Sequence, residues 1–119
     1  MGELDIHFHT YGEGDQVVVF VHGSGPGASG YSNFKKNVAT FVGAGYTVVV
    51  PDLPGFGYSS KPTDVDYTSE FFSAHLVGLL DLLEVRTFSL IGNSLGGAIS
   101  IRTALDHPDR VSKLILMAP

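Results

Sequence analysis

Apolar runs and amphipathic stretches alternate along this chain, and each pattern predicts a different element. Four runs of aliphatic, mostly β-branched residues are typical of strands that are buried on both faces of a parallel sheet. They cover residues 17–21, 47–50, 88–91 and 114–117. An earlier segment, residues 5–10, alternates polar and apolar positions and predicts a half-buried strand.

The segments between these strands predict helices, because their apolar residues recur at helical spacing. The first helix spans residues 32–42 and ends at the glycines that follow. The second begins at a cap residue, Thr68 or Ser69, and its apolar stripe consists of Phe72, Leu76, Leu79, Leu80 and Leu83. The third runs through Ala98, Ile101 and Leu105. Strands that alternate with helices predict an α/β fold with a mostly parallel sheet and flanking helices.

The composition fits a single domain over residues 1–119. Hydrophobic residues make up 44% of the chain, the formal net charge is −5, and cysteine is absent. These values argue against a disordered chain and exclude disulfide or thiolate metal sites. There is no basic face for nucleic acid, no signal peptide, and no apolar run of the ~18 residues that a membrane span needs. We therefore expect a cytoplasmic protein that binds neither nucleic acid nor a membrane. We expect its partner to be a small-molecule substrate, as the serine and glycine motifs indicate.

The sequence Gly92-Asn93-Ser94-Leu95-Gly96 lies between a predicted strand and a predicted helix. In that context G-x-S-x-G is typical of a nucleophile elbow, a sharp turn that strains the serine backbone and exposes its hydroxyl. The flanking glycines leave room for the turn, and the helix N-terminus favours developing negative charge. The backbone N–H of Leu95 is then available to an oxyanion. A glycine-rich turn with an incidental serine is the plainer alternative.

A glycine-rich loop, residues 22–30, follows the first buried run and has two interpretations. Its His-Gly start is like the oxyanion loops of lipases and esterases, which would make the backbone N–H of Ser24 the second oxyanion donor. Its later part matches G-x-G-x-x-G, with Asp52 at the end of the next strand, as in dinucleotide-binding folds. That match begins too far beyond the strand for a tight turn, and Pro26 removes an amide that a pyrophosphate would need. A dinucleotide site is the weaker alternative.

Four stretches of the sequence carry a more specific likeness. They are HGSGPGASGYSNF (22–34), PDLPGFGYS (51–59), GNSLGG (92–97) and HPDRVSKLILMAP (107–119). Together they resemble the α/β-hydrolase superfamily and, within it, the meta-cleavage-product hydrolases, which break carbon–carbon bonds in the bacterial degradation of aromatic compounds. The HG and G-x-S-x-G motifs occur across the superfamily, whereas GSGPGA followed by S-N is much more specific.

The resemblance implies a role for individual residues. Ser94 would be the nucleophile or would activate water, and the backbone N–H groups of Ser24 and Leu95 would form the oxyanion hole. Asn33 would hydrogen-bond the oxygenated end of a 2-hydroxy-6-oxo-dienoate substrate, and Asn93 would line the same pocket. No cofactor and no metal are implied.

Some positions have other interpretations. Asn33 is also an ordinary polar residue for a first helical turn, and Asn93 is also an ordinary turn residue. Tyr31 stands where the resembled family often has tryptophan, which leaves the pocket shape open. A halide-cleaving relative is disfavoured, since that branch needs an aspartate where this chain has Ser94. His7 and His9 have ligand spacing but no third ligand beside them in sequence, so we predict no metal site.

In the superfamily the nucleophile is followed along the chain by an acid and then a histidine. After Ser94 the candidates are Asp106, His107 and Asp109, at the far end of the predicted helix, ~15–20 Å from the elbow. We therefore expect the N-terminal part of an α/β-hydrolase fold, without the lid and last strands. Such a chain would have little turnover alone.

The last apolar run begins at Leu114 and ends at Met117. Without outer neighbours it would form an exposed apolar edge, and we expect self-association through it. Three classes of function stay open: a serine hydrolase of carbon–carbon or ester bonds, a non-catalytic self-associating unit, and a nucleotide-binding module.

Overall fold

The computed structural model describes residues 5–23, 30–63 and 65–117, without the side chains of residues 30–33, 35 and 36. The elements in these residues are, in chain order, β1 (Phe8–Tyr11), β2 (Val17–Val21), α1 (Gly30–Gly43), β3 (Thr47–Pro51), α2 (Ser69–Leu82), β4 (Phe88–Asn93), α3 (Leu95–Asp106) and β5 (Val111–Met117). From β2 onward strands alternate with helices, which confirms the predicted α/β fold.

The strands form one sheet in the order β1-β3-β2-β4-β5. β1 is antiparallel to β3, and the pairs β2–β3, β2–β4 and β4–β5 are parallel. The chain therefore goes from β2 to β3 on one side and then returns to place β4 on the other side of β2. Ligands of open α/β sheets bind outside the carboxyl ends of the strands at such a reversal. The end of β2, at Val21 and His22, and the turn after β4 meet there.

Each face of the sheet has its own apolar core. On one face, α2 and α3 cover a cluster that includes Val19, Leu90 and Phe72. On the other face, α1 covers a cluster that includes Phe20 and Phe34. Alternate side chains of β2 enter the two cores, as expected for a strand buried on both faces.

One expectation about burial is confirmed and another differs from the structure. The apolar run of β5 forms the predicted exposed edge, with the side chains from Leu114 to Met117 36–48% exposed, because β5 is the edge of the described sheet. In α3 the apolar residues Ile101 and Leu105 are exposed, contrary to the predicted apolar stripe, whereas Ile99 forms the buried face together with small and polar residues. Small residues bring the helix axis close to the sheet, and this close approach decides which face is inward.

None of the described helices combines the length and the apolar character that a membrane span requires.

Candidate active site

The turn between β4 and α3 holds Ser94 in strained geometry. Its backbone angles are φ 55° and ψ −114°, a combination that non-glycine residues seldom adopt. The Ser94 N–H donates to the carbonyl oxygen of Met117 at 3.0 Å, and the Ser94 carbonyl accepts from the N–H of Gly97 at 2.8 Å. The side chain makes no capping bond to the helix and is exposed. The predicted strain and exposure of this serine are confirmed.

The glycines on either side of Ser94 are required by close packing. A Cβ at Gly92 would lie 2.4 Å from the carbonyl oxygen of Gly96, and a Cβ at Gly96 would lie 2.0 Å from that of Val21. Both contacts are far inside van der Waals distance and involve backbone atoms, which cannot give way. The glycine spacing thus lets the start of α3 pass directly over the end of β2.

Leu95 is the first residue of α3, so its N–H has no carbonyl partner within the helix. The N-terminal end of a helix carries a partial positive charge, which favours an anion placed there. The Leu95 amide thus lies one residue from the exposed hydroxyl of Ser94. This arrangement can stabilise negative charge that develops on a substrate oxygen beside the serine.

His22 follows β2 and is fully buried. The N–H of Leu53 donates to its Nε2 at 3.0 Å, and Nδ1 lies 2.6 Å from the carbonyl oxygen of Gly23. Nε2 is therefore the acceptor, and Nδ1 carries the proton and donates it to Gly23. Burial lowers the pKa of His22, against smaller opposing effects of the Gly23 bond and of the Asp52 charge. His22 is therefore neutral, and its hydrogen bond with Leu53 links the end of β2 to the residues that follow β3.

The residues after β3 form a closed turn around the carboxylate of Asp52. Asp52 is 4% exposed, and its Oδ2 accepts from the backbone N–H of Tyr58 at 3.1 Å. Its backbone carbonyl accepts from Ser59 Oγ at 2.6 Å. A Cβ at Gly57 would lie 2.2 Å from Asp52 Oδ2, so this turn needs a glycine. The dinucleotide interpretation required Asp52 to reach a ribose; the carboxylate is instead buried within its own turn.

A cavity of about 540 Å³ lies beside Leu95. Its walls include the aromatic rings of Phe56, Tyr67 and Phe72, and Lys61 is at its border. The Lys61 ammonium donates to the carbonyl oxygens of Gly57 and Ser59. The cavity therefore combines an apolar wall with one cation next to the elbow. Sequence patterns gave no sign of it, since its lining comes from one loop and two helices that are distant in sequence.

The remaining predicted site residues differ in how far the structure describes them. Ser24 lies outside the described residues. Asn33 lies in α1, but its side chain is not described. Asn93 is the last residue of β4, half-buried and in register with Met117 of β5. The structure therefore brings together Ser94, Leu95 and Asn93, while the roles of all five predicted residues stay predictions.

All five histidines of the chain lie among the described residues, and none has a hydrogen bond to Ser94. Both ring nitrogens of His22 are engaged. His107 caps the opposite end of α3, roughly 18 Å away for a helix of this length. His75 bonds within α2 through Nδ1, and His7 and His9 lie at the β1 edge of the sheet. No histidine is placed as a general base for the serine.

A model of the alpha/beta hydrolase fold family matches residues 16–119. The chain belongs to this family. A 2-hydroxy-6-oxononadienedioate/2-hydroxy-6-oxononatrienedioate hydrolase from a Pseudomonas species is 46% identical over 118 residues, which are 98% of this chain and 41% of the relative. The chain thus spans about 40% of the length of the curated relatives that it matches.

Solved structures of the same hydrolase fold agree with this assignment. A meta-cleavage product hydrolase from Pseudomonas fluorescens superposes with a TM-score of 0.87 at 36% identity, over 92% of this chain and 39% of that one. An epoxide hydrolase from Vigna radiata superposes with a TM-score of 0.90 at 26% identity, over 98% of this chain and 37% of that one. The predicted fold and the predicted similarity to meta-cleavage-product hydrolases are confirmed.

Proposed function

We propose that this chain is the nucleophile-bearing part of a serine hydrolase that cleaves a carbon–carbon bond in a meta-cleavage product of aromatic degradation. The observation that carries the proposal is Ser94, exposed and strained at the start of α3, one residue from a helix N-terminal amide. Ser94 acts as the nucleophile or activates water, and the Leu95 N–H stabilises the oxyanion together with that of Ser24.

The substrate class rests on sequence rather than on fold. Structures that superpose equally well include an epoxide hydrolase and a meta-cleavage product hydrolase, so the fold leaves the reaction open. The curated relatives at 43–46% identity have a dienedioate as substrate in their names. The GSGPGA and GNS motifs favour the same class. A generic carboxylesterase is the alternative within the same site.

The test uses protein expressed from the whole reading frame that contains this sequence. We expect it to hydrolyse a 2-hydroxy-6-oxononadienedioate faster than a p-nitrophenyl ester, with Ser94→Ala lowering kcat by as much as about 10⁶-fold. Ser112→Ala, on the exposed β5, is the matched control and should leave kcat unchanged. Faster ester than carbon–carbon cleavage would support the carboxylesterase alternative. Undiminished activity in Ser94→Ala would remove Ser94 from the mechanism.

The cavity beside Leu95 gives the proposed substrate an apolar wall and a cation. A dienedioate carries two carboxylates. We propose that Lys61 binds the carboxylate that lies farther from the carbon–carbon bond that is cleaved. Within the described stretches no carboxylate pairs with Lys61. Lys61→Met should raise KM for the dienedioate about tenfold and change kcat little, since a charged hydrogen bond is worth roughly 1.5–3 kcal/mol. Lys113→Met, on β5, is the control; equal KM values for both variants would remove Lys61 from binding.

We also propose that two copies of the 119-residue chain associate through β5. Its edge is unpaired in the described residues, and its apolar side chains are 36–48% exposed from Leu114 to Met117. Pairing of like edges around a two-fold axis would satisfy the free backbone groups and cover these side chains.

Light scattering at tens of micromolar tests this association. We expect Ile115→Lys to shift the chain towards monomer, because a lysine on an edge strand opposes pairing. Leu82→Lys removes a side chain that is 68% exposed on α2 and should leave the association intact. A monomeric wild-type chain, or equal effects of both variants, would contradict association through β5.

A further inference from the structure

Two imidazole rings meet at the edge of the sheet farthest from β5. His7 immediately precedes β1 and His9 lies within it, and their Nε2 atoms are 3.2 Å apart. The ring planes are nearly perpendicular, at 86°, with centroids 4.8 Å apart. The Nε2 atoms of the two rings are therefore adjacent at this edge of the sheet.

The backbone holds both histidines in place. The His7 N–H donates to Ser59 Oγ at 2.8 Å, and the His7 carbonyl accepts from the Asp52 N–H at 2.8 Å. His9 is in register with Val50 in the β1–β3 ladder. These bonds anchor the histidine backbone to the turn around Asp52 and to a central strand. The two Cα atoms are thus fixed before any ligand arrives.

Aromatic neighbours restrict the two rings as well. The Tyr58 ring meets His7 edge-on, with centroids 5.1 Å apart, and the Tyr11 ring stacks on His9 with centroids 5.9 Å apart. Side-chain freedom that a bound ion would otherwise have to remove is therefore already reduced.

We propose that His7 and His9 chelate a divalent transition-metal ion of the zinc class. Two imidazole nitrogens bound to tetrahedral zinc at 2.0–2.1 Å lie about 3.3–3.4 Å apart, close to the separation seen here. Imidazole favours zinc, copper and nickel over magnesium and calcium. The described stretches of the chain supply no third histidine, aspartate or glutamate to this site. The sequence spacing alone predicted no site; the structure adds the 3.2 Å separation of the two nitrogens.

Calorimetric titration of untagged protein with zinc chloride tests the proposal. We expect one saturable site, with no binding of magnesium at the same concentration. His9→Asn and His7→Asn should each weaken the affinity roughly 10²-fold, because a two-point chelate becomes a single contact. His107→Asn, which removes an imidazole elsewhere, should bind as the wild type does. Circular dichroism of each variant verifies that the fold is kept.

A second readout is independent of catalysis. Zinc that links residue 7 to residue 9 should slow hydrogen exchange in the β1–β3 ladder and leave the β4–β5 ladder unchanged. The absence of saturable binding would show that the 3.2 Å contact is only an N–H···N hydrogen bond between the rings. Unchanged zinc affinity in both asparagine variants would place the ion elsewhere. Either result overturns the proposal.

Discussion

β2 and β5 have similar sequences and opposite surroundings. Both are short, continuous apolar runs, VVVFV in β2 and LILM at the end of β5. β2 lies between two strands and two layers of helix, and four of its five residues are buried. β5 has a neighbour on one side in the described residues, and its side chains are exposed. An apolar run thus predicts a strand, while burial depends on what the rest of the chain places beside it.

The most direct way to measure this difference is to truncate one large apolar side chain in each strand to alanine. Phe20→Ala empties a fully buried site, where the ring stacks on Phe34 with centroids 4.6 Å apart. We expect it to lower the free energy of unfolding by about 3–5 kcal/mol, and Ile115→Ala by less than about 1 kcal/mol. Urea unfolding at low protein concentration compares the two variants. Similar losses would show that β5 is as well packed as β2.

The close contact between α3 and β2 allows a second comparison, between the stability effect of a substitution at a tightly packed position and that of one at an open position. Gly96→Ala would place a Cβ 2.0 Å from the carbonyl oxygen of Val21, and we expect it to destabilise the fold by about 2–3 kcal/mol or more. Gly43→Ala is the matched control, because nothing lies within 4 Å of its added Cβ and alanine favours helix. Thermal unfolding should separate the variants. An unaffected Gly96→Ala would mean that the elbow is looser than this packing requires.

His22, at the end of β2, should make stability depend on pH, an effect with no counterpart at the end of β5. Its pKa is lowered in the folded state, so the unfolded chain binds more protons once the pH falls below the usual 6.5. The stabilisation that neutral His22 provides is fully present above pH 6.5. It is lost as the pH falls below 6.5, and the free energy of unfolding decreases by at most ~1.4 kcal/mol per pH unit. His22→Gln keeps an acceptor for the Leu53 N–H but does not titrate. Urea unfolding from pH 7.5 to 5.5 should therefore be flatter for the variant, and parallel curves would refute the role of His22.

The smallest expected change in stability comes from a substitution in the turn that leads into β4, the strand between β2 and β5. Glu84 has a φ of 60°, in the left-handed region that favours glycine. Glu84→Gly should stabilise the protein by about 0.5–1 kcal/mol, and Glu13→Gly, outside the helices and strands, should not. Differential scanning fluorimetry can detect the shift. A lower Tm for Glu84→Gly would show that the glutamate side chain contributes contacts that outweigh backbone strain.

Local patterns in the sequence were sufficient for most of the fold. β2 begins and ends where its apolar run does, and α2 begins directly after its cap residue Thr68, whose Oγ1 accepts from the Phe71 N–H at 3.0 Å. These features depend on neighbouring residues, so the sequence displays them directly. The strained elbow was equally predictable, because the two glycines and the serine lie within one short motif.

The features that sequence patterns missed depend on contacts between distant residues. The inward face of α3 includes Thr103, whose hydroxyl lies 2.8 Å from that of Ser73 on α2. His22 is fixed by the amide of Leu53, and the cavity beside Leu95 is bordered by Lys61. No periodicity along the chain encodes such pairs. The exposure of β5 was predicted from its position at an edge and not from its apolar pattern, since burial requires a neighbour that the pattern does not specify.

The central claim is that Ser94 is presented for catalysis by a chain in which no histidine serves it as a base. Hydrolysis of a p-nitrophenyl ester by the 119-residue chain and by Ser94→Ala, each measured with and without added imidazole, tests it most directly. We predict equal rates for the two proteins without imidazole, and a rate with imidazole that exceeds the free-imidazole background for the wild type alone. Robust Ser94-dependent turnover without imidazole would contradict the claim, because a histidine of this chain would then reach the serine.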